Sequence, residues 1–76
     1  MDDKKEISFI EALKILTPRE VEILELIGKG YSSIEISEEL FLSTNTIYKH
    51  VERIKKKLSL KGSKCILKWY LKNSLP

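Results

Sequence analysis

Ser32–Leu58 reads SSIEISEELFLSTNTIYKHVERIKKKL, and two helix starts stand inside it. Ser32 precedes Glu35 by three residues, the spacing of a capping box in which hydroxyl and carboxylate each satisfy the other residue's backbone N–H. Ile36 and Leu40 then share one helical face. Past Phe41 and Leu42, Ser43 can cap a further helix from Thr44 to about Leu58. Its apolar positions Ile47, Val51, Ile54 and Leu58 hold the i, i+4, i+7, i+11 spacing of a single buried stripe.

Only Phe41, Leu42 and Ser43 separate these two amphipathic helices, and so short a connection implies a steep crossing, as in a helix-turn-helix. Upstream, LTPRE carries a second capping box. Thr17 caps, Pro18 suits the first helical position, and Glu20 stands three residues after Thr17. Val21, Leu24 and Ile27 recur at helical spacing, and Gly28 and Gly30 supply a left-handed stop. Ile10 and Leu13 suggest a short helical turn lying over the core. Downstream, Gly62 breaks the pattern, and SKCILKWYLKN reads as a last helix. Met1–Glu6 and Asn73–Pro76 are expected to fray.

At 76 residues the chain makes one small domain. One cysteine, Cys65, forms no internal disulfide, and with one histidine it falls short of a tetrahedral zinc site. No cofactor or metal is expected, and reduced cytoplasm suits the thiol. No apolar run approaches the ~20 residues of a membrane span. The net charge of +3 is unevenly spread. Residues 1–42 hold five Lys/Arg against ten Asp/Glu, whereas residues 43–76 hold nine against one. The basic half should meet an anionic partner, most often nucleic acid or a membrane surface, the latter disfavoured because the basic helix turns its apolar stripe to the core.

At about 100° per residue, the face of the Thr44–Leu58 helix opposite Ile47 carries Asn45, Lys49, Glu52, Arg53 and Lys56. Such a face can enter the major groove of double-stranded DNA, where Lys or Arg pairs with guanine, Asn with adenine, and Glu accepts from cytosine. Thr46, Tyr48, His50, Lys55 and Lys57 flank the stripe, placed for phosphates or a neighbouring helix. Glu52 also stands four residues before Lys56, so a plain surface ion pair is the alternative. His50 is expected to pack or to bond to backbone, since no Ser, Cys or Asp partner is suitably spaced for catalysis. In the last helix Lys64, Lys68 and Lys72 form one polar stripe, and apolar residues occupy nearly all the rest. The surplus, on either the Cys65/Trp69 flank or the Leu67/Leu71 flank, should meet a second copy, and the flank of Cys65, Ile66, Trp69 and Tyr70 is the one expected, unless FIEAL, Phe9–Leu13, covers it within one chain.

With LTPRE, the Gly30 turn, EIS leading to LFLS, TIYKH and KKKL in place, the chain resembles the LuxR-type (GerE-type) regulators of bacterial transcription over roughly residues 16–72. The resemblance implies an all-α, four-helix helix-turn-helix domain, here with a short N-terminal extension over residues 1–15 and a tail over 73–76. It also implies that the third family helix reads the major groove and the fourth dimerises. Position by position, it assigns Thr46 to the DNA backbone, Tyr48, Lys49 and Glu52 to bases, and Lys57 to the phosphates. RNA polymerase is a further expected partner. Tyr48 stands where the family commonly has lysine or arginine, Ser37 replaces a usual alanine, and Ser63 a frequent arginine, for which Lys61 or Lys64 can substitute. The family domain usually follows a receiver or ligand-sensing domain, and Met1 favours a free-standing effector over a fragment. Two other readings stand beside it: a promoter-binding module like region 4 of sigma factors, against which the last helix argues, and a protein-interaction module that never docks on DNA.

Overall fold

The computed structural model describes residues 7–62 and 64–74; the expected frayed opening, Ser63 and the last two residues lie outside them. Among the described residues the regular structure is wholly helical: α1 (Phe9–Ile15), α2 (Pro18–Gly28), α3 (Ser33–Leu40), α4 (Thr44–Leu58) and α5 (Cys65–Ser74). Helices α2 to α5 are the four that the sequence calls for, and α1 precedes them.

Each start has its local cause. Thr17 and Ser32 close full capping boxes with Glu20 and Glu35, and Ser43 Oγ accepts the Thr46 N–H at 3.1 Å. Ser8 and Glu11 close a third box ahead of α1. The stops are alike as well. The N–H groups of Tyr31, Leu42 and Leu60 each reach back five residues, to the carbonyls of Leu26, Ser37 and Lys55. This is the Schellman closure, and it needs a left-handed residue just before the donor. Gly30, Phe41 and Ser59 fill that position with positive φ. Gly28 does a different job from the expected one. It stays helical, and a Cβ there would run into the ring of Tyr70, so its missing side chain is what lets α5 approach α2.

The core is built from Ile23 and Leu24 of α2, Ile36 of α3, Ile47, Ile54 and Leu58 of α4, and Ile66 and Trp69 of α5, joined by Ala12 and Leu16. Helix α2 lies centrally, in contact with α3, α4 and α5, while α3 also packs on α4. The expected stripe of α2 is present and wider than expected: Leu24 is buried and Val21 and Ile27 pack half-buried on the core, with Ile23 and Glu20 buried beside them. The expected face of α1 is corrected. In α1 the expected Ile10 and Leu13 are exposed, and Phe9, Ala12 and Leu16 turn inward instead.

Trp69 explains that turn. Its indole is 3 % exposed, its Nε1–H donates to the Ile7 carbonyl at 2.9 Å, and Phe9 stacks on it at 6.0 Å between ring centres. Phe9 also meets Tyr70 edge-on at 5.7 Å. The dimer flank expected at Ile66 and Trp69 is therefore corrected. Both are core, and Phe9 of the FIEAL segment covers Trp69 within one chain. Nor does the helix fray at Asn73, whose amide donates to the Trp69 carbonyl at 3.0 Å within α5.

Candidate nucleic-acid interface

Helix α4 sorts its side chains sharply. Ile47, Ile54 and Leu58 are buried and Val51 is half-buried, while Asn45, Tyr48, Lys49, Glu52, Arg53 and Lys56 are exposed. One helix thus offers an amide, a carboxylate and three cations on a face held by an apolar seam. Donors and acceptors of these kinds are those that read base edges in the major groove. The three residues of the turn bring α3 against α4, and Ser37, buried on α3, bonds its hydroxyl to the Ile34 carbonyl at 2.7 Å within that helix.

Thr46 is half-buried at the start of α4, with its hydroxyl 2.9 Å from Ser43 Oγ. Glu52 pairs with Lys55 at 3.4 Å, not with Lys56 as the spacing suggested, and Lys56 stays on the exposed face. His50 packs at the edge of the seam. Its Nδ1 is buried without a hydrogen-bond partner, so the expected backbone bond is not made there.

Lys57 departs furthest from expectation. Its Nζ lies 2.8 Å from Oε1 of Glu20, a carboxylate 2 % exposed at the start of α2. The same oxygen accepts the Thr17 N–H at 3.0 Å. Burial alone pushes the Glu20 carboxyl upward, but the hydrogen bond and charge of Lys57, together with the Thr17 contacts, outweigh it and hold the group below the ordinary carboxylate value. Glu20 was legible only as a capping residue, since periodicity cannot reveal a partner 37 residues away.

On α5, Ile66 and Trp69 face inward, Tyr70 is half-buried against Gly28 and Phe9, and Cys65 lines an open cleft of about 490 Å³ with Tyr31, Val51 and Lys55. The outward face carries Leu71, 45 % exposed, with Leu67, Lys64 and Lys68. Among the described residues there is no cluster of three metal-ligating side chains, and no helix is long and apolar enough to cross a membrane.

Residues 14–69 match the family model described as bacterial regulatory proteins, luxR family. Similar curated proteins include the Oxygen regulatory protein NreC of Staphylococcus aureus strains JH9, Mu3 and NCTC 8325, each 45 % identical over 65 residues. That alignment covers 86 % of this chain and 30 % of each relative, so the chain spans under a third of the length of the proteins it matches.

Proposed function

The chain belongs to the luxR family of bacterial regulatory proteins, a family of DNA-binding transcription regulators and not of enzymes, and from that premise we propose that α4 is the element that reads DNA. The segregation of α4 carries the reading: its buried seam fixes which face looks outward, and that face holds Asn45, Lys49, Glu52, Arg53 and Lys56. Lys49, nearly opposite Ile47, sits at the centre of the contact and pairs with a base. Tyr48 and Glu52 reach bases beside it, and Thr46 meets the backbone at the helix start. Asn45, Arg53 and Lys56 complete the face. Lys57 is left out of this set because its ammonium is held by Glu20.

Two copies pair through α5. With Trp69 and Ile66 spent on the core, the pairing surface is the outward face of Leu71 and Leu67, which two-fold pairing would bury while setting two α4 helices on adjacent half-sites. In the cytoplasm such a pair would act on transcription beside RNA polymerase.

Selection of bound sites from a random DNA pool, followed by titration at two salt concentrations, tests the reading. Affinity for the selected site should exceed that for random DNA and fall steeply with salt, because each neutralised phosphate releases counterions. Binding to no DNA at either salt would refute it. Leu71→Glu should keep helical circular dichroism and single-copy binding and lose the two-copy complex. Unchanged pairing would move the contact off α5.

A further inference from the structure

We infer that Glu20 is a positioning residue for recognition: through Lys57 it fixes the rotation of α4 about its own axis, so that Lys57 serves sequence discrimination from inside the domain and not as a phosphate ligand. The inference rests on the reading of α4 given above.

An apolar seam holds a helix against its neighbour without direction, since burial depends on area and not on angle. Ile47, Ile54 and Leu58 therefore secure α4 to the core but resist a small roll only through shape. A reading face does not tolerate such a roll, because bidentate pairing with a base edge is directional. Lys57 stands where a roll can be stopped. On the helical wheel it lies at the border between the seam and the exposed face, on the same flank as Thr46 and Arg53. Its partner is fixed from the other side. Glu20 holds the Thr17 N–H with its carboxylate while its own N–H donates to Thr17 Oγ1 at 3.1 Å, and Pro18 stiffens the turn between them. The ion pairs Arg19–Glu22 and Glu52–Lys55 each stay within one helix, whereas Glu20–Lys57 ties the start of α2 to the last turn of α4. Nearly complete burial of the carboxylate makes the tie one that neither water nor a counterion easily replaces.

A phosphate contact and a positioning contact differ in what their removal does. Loss of a phosphate contact weakens binding to all DNA and lowers the salt slope by about one unit. Loss of a positioning contact leaves the slope and spreads the reading face over several rotations. Fluorescence anisotropy with the selected site and with random duplex, at several salt concentrations, separates the two. Lys57→Met should lower the ratio of selected to random affinity about tenfold and leave the salt slope and random-DNA affinity as in the parent; Lys57→Arg, which can keep the pair, should restore the ratio. Glu20→Gln, which retains a capping acceptor, guards against a Lys57→Met chain that does not fold. It should lower the same ratio several-fold, with amide shifts along Lys49–Arg53 already in the DNA-free protein. A double variant no worse than Lys57→Met alone would mark one shared contact. The inference is overturned if Lys57→Met weakens both DNAs equally and flattens the slope, or if Glu20→Gln keeps full discrimination. A parent that binds no DNA would instead remove the reading of α4 itself.

Discussion

Helices α4 and α5 are built from similar material, lysines set among aliphatic and aromatic residues, and they use it in opposite ways. In α4 the apolar residues keep to one seam and the polar ones to the other side, so one face is spent on the core and the other is free to recognise. In α5 apolar residues surround a narrow lysine stripe. The fold spends that surplus twice, burying Ile66 and Trp69 under α1 and α2 and leaving Leu71 outside. The difference teaches that charge alone does not mark a contact surface. What marks it is which face the core has already claimed, and Lys57 makes the point in miniature: a lysine of the basic helix whose ammonium belongs to a buried carboxylate.

The comparison breaks first at Trp69. Trp69→Ala removes a buried indole, its stacking on Phe9 and its bond to the Ile7 carbonyl, and should cost about 3–5 kcal/mol in urea unfolding. A cost below ~1 kcal/mol would return Trp69 to the surface. Next comes Lys57→Ala, which strands the Glu20 carboxylate and should cost about 2–3 kcal/mol, less than a fully buried pair because the lysine end is partly exposed. The sign of its pH dependence follows from the lowered carboxyl. That stabilisation is complete above the ordinary carboxylate range and is lost as the pH falls through the depressed folded value, so Glu20→Gln should flatten the acid limb of the stability curve.

Lys49→Ala sharpens the contrast from the other side. Stability should stay within ~0.5 kcal/mol, while discrimination between selected and random DNA drops by ~1–3 kcal/mol. The smallest effect is expected at Phe41, a 92 % exposed aromatic at φ 57° in the turn between α3 and α4. Phe41→Gly should raise stability by about 0.5–1 kcal/mol, since glycine carries no penalty in the left-handed region. A loss there would mean that the ring has packing partners.

Much of the fold was legible because its signals are local. Thr17–Glu20 and Ser32–Glu35 announce helix starts within four residues, and Ile47, Val51, Ile54 and Leu58 declare a seam within four turns. Ser8–Glu11 carried the same signal ahead of α1 and was there to be read. What escaped depends on distant pairs. The inward turn of Phe9 depends on Trp69, the helical Gly28 on Tyr70, and the burial of Glu20 on Lys57, and no local pattern encodes any of them. The candidate site divides the same way. The exposed face of α4 followed from its own periodicity, whereas the dimer flank, which periodicity left open between two sides of α5, needed to know what α1 covers.

Methylation interference on the selected site tests the central claim, that the outward face of α4 reads base edges in the major groove. Guanine N7 opens into that groove and pairs with lysine or arginine, whereas adenine N3 opens into the minor groove. Methylation at guanine N7 within the site should block binding of the parent, and Lys49→Ala should relieve the block at one guanine. Interference confined to adenine N3, or unaffected binding after methylation at every guanine of the site, would contradict it.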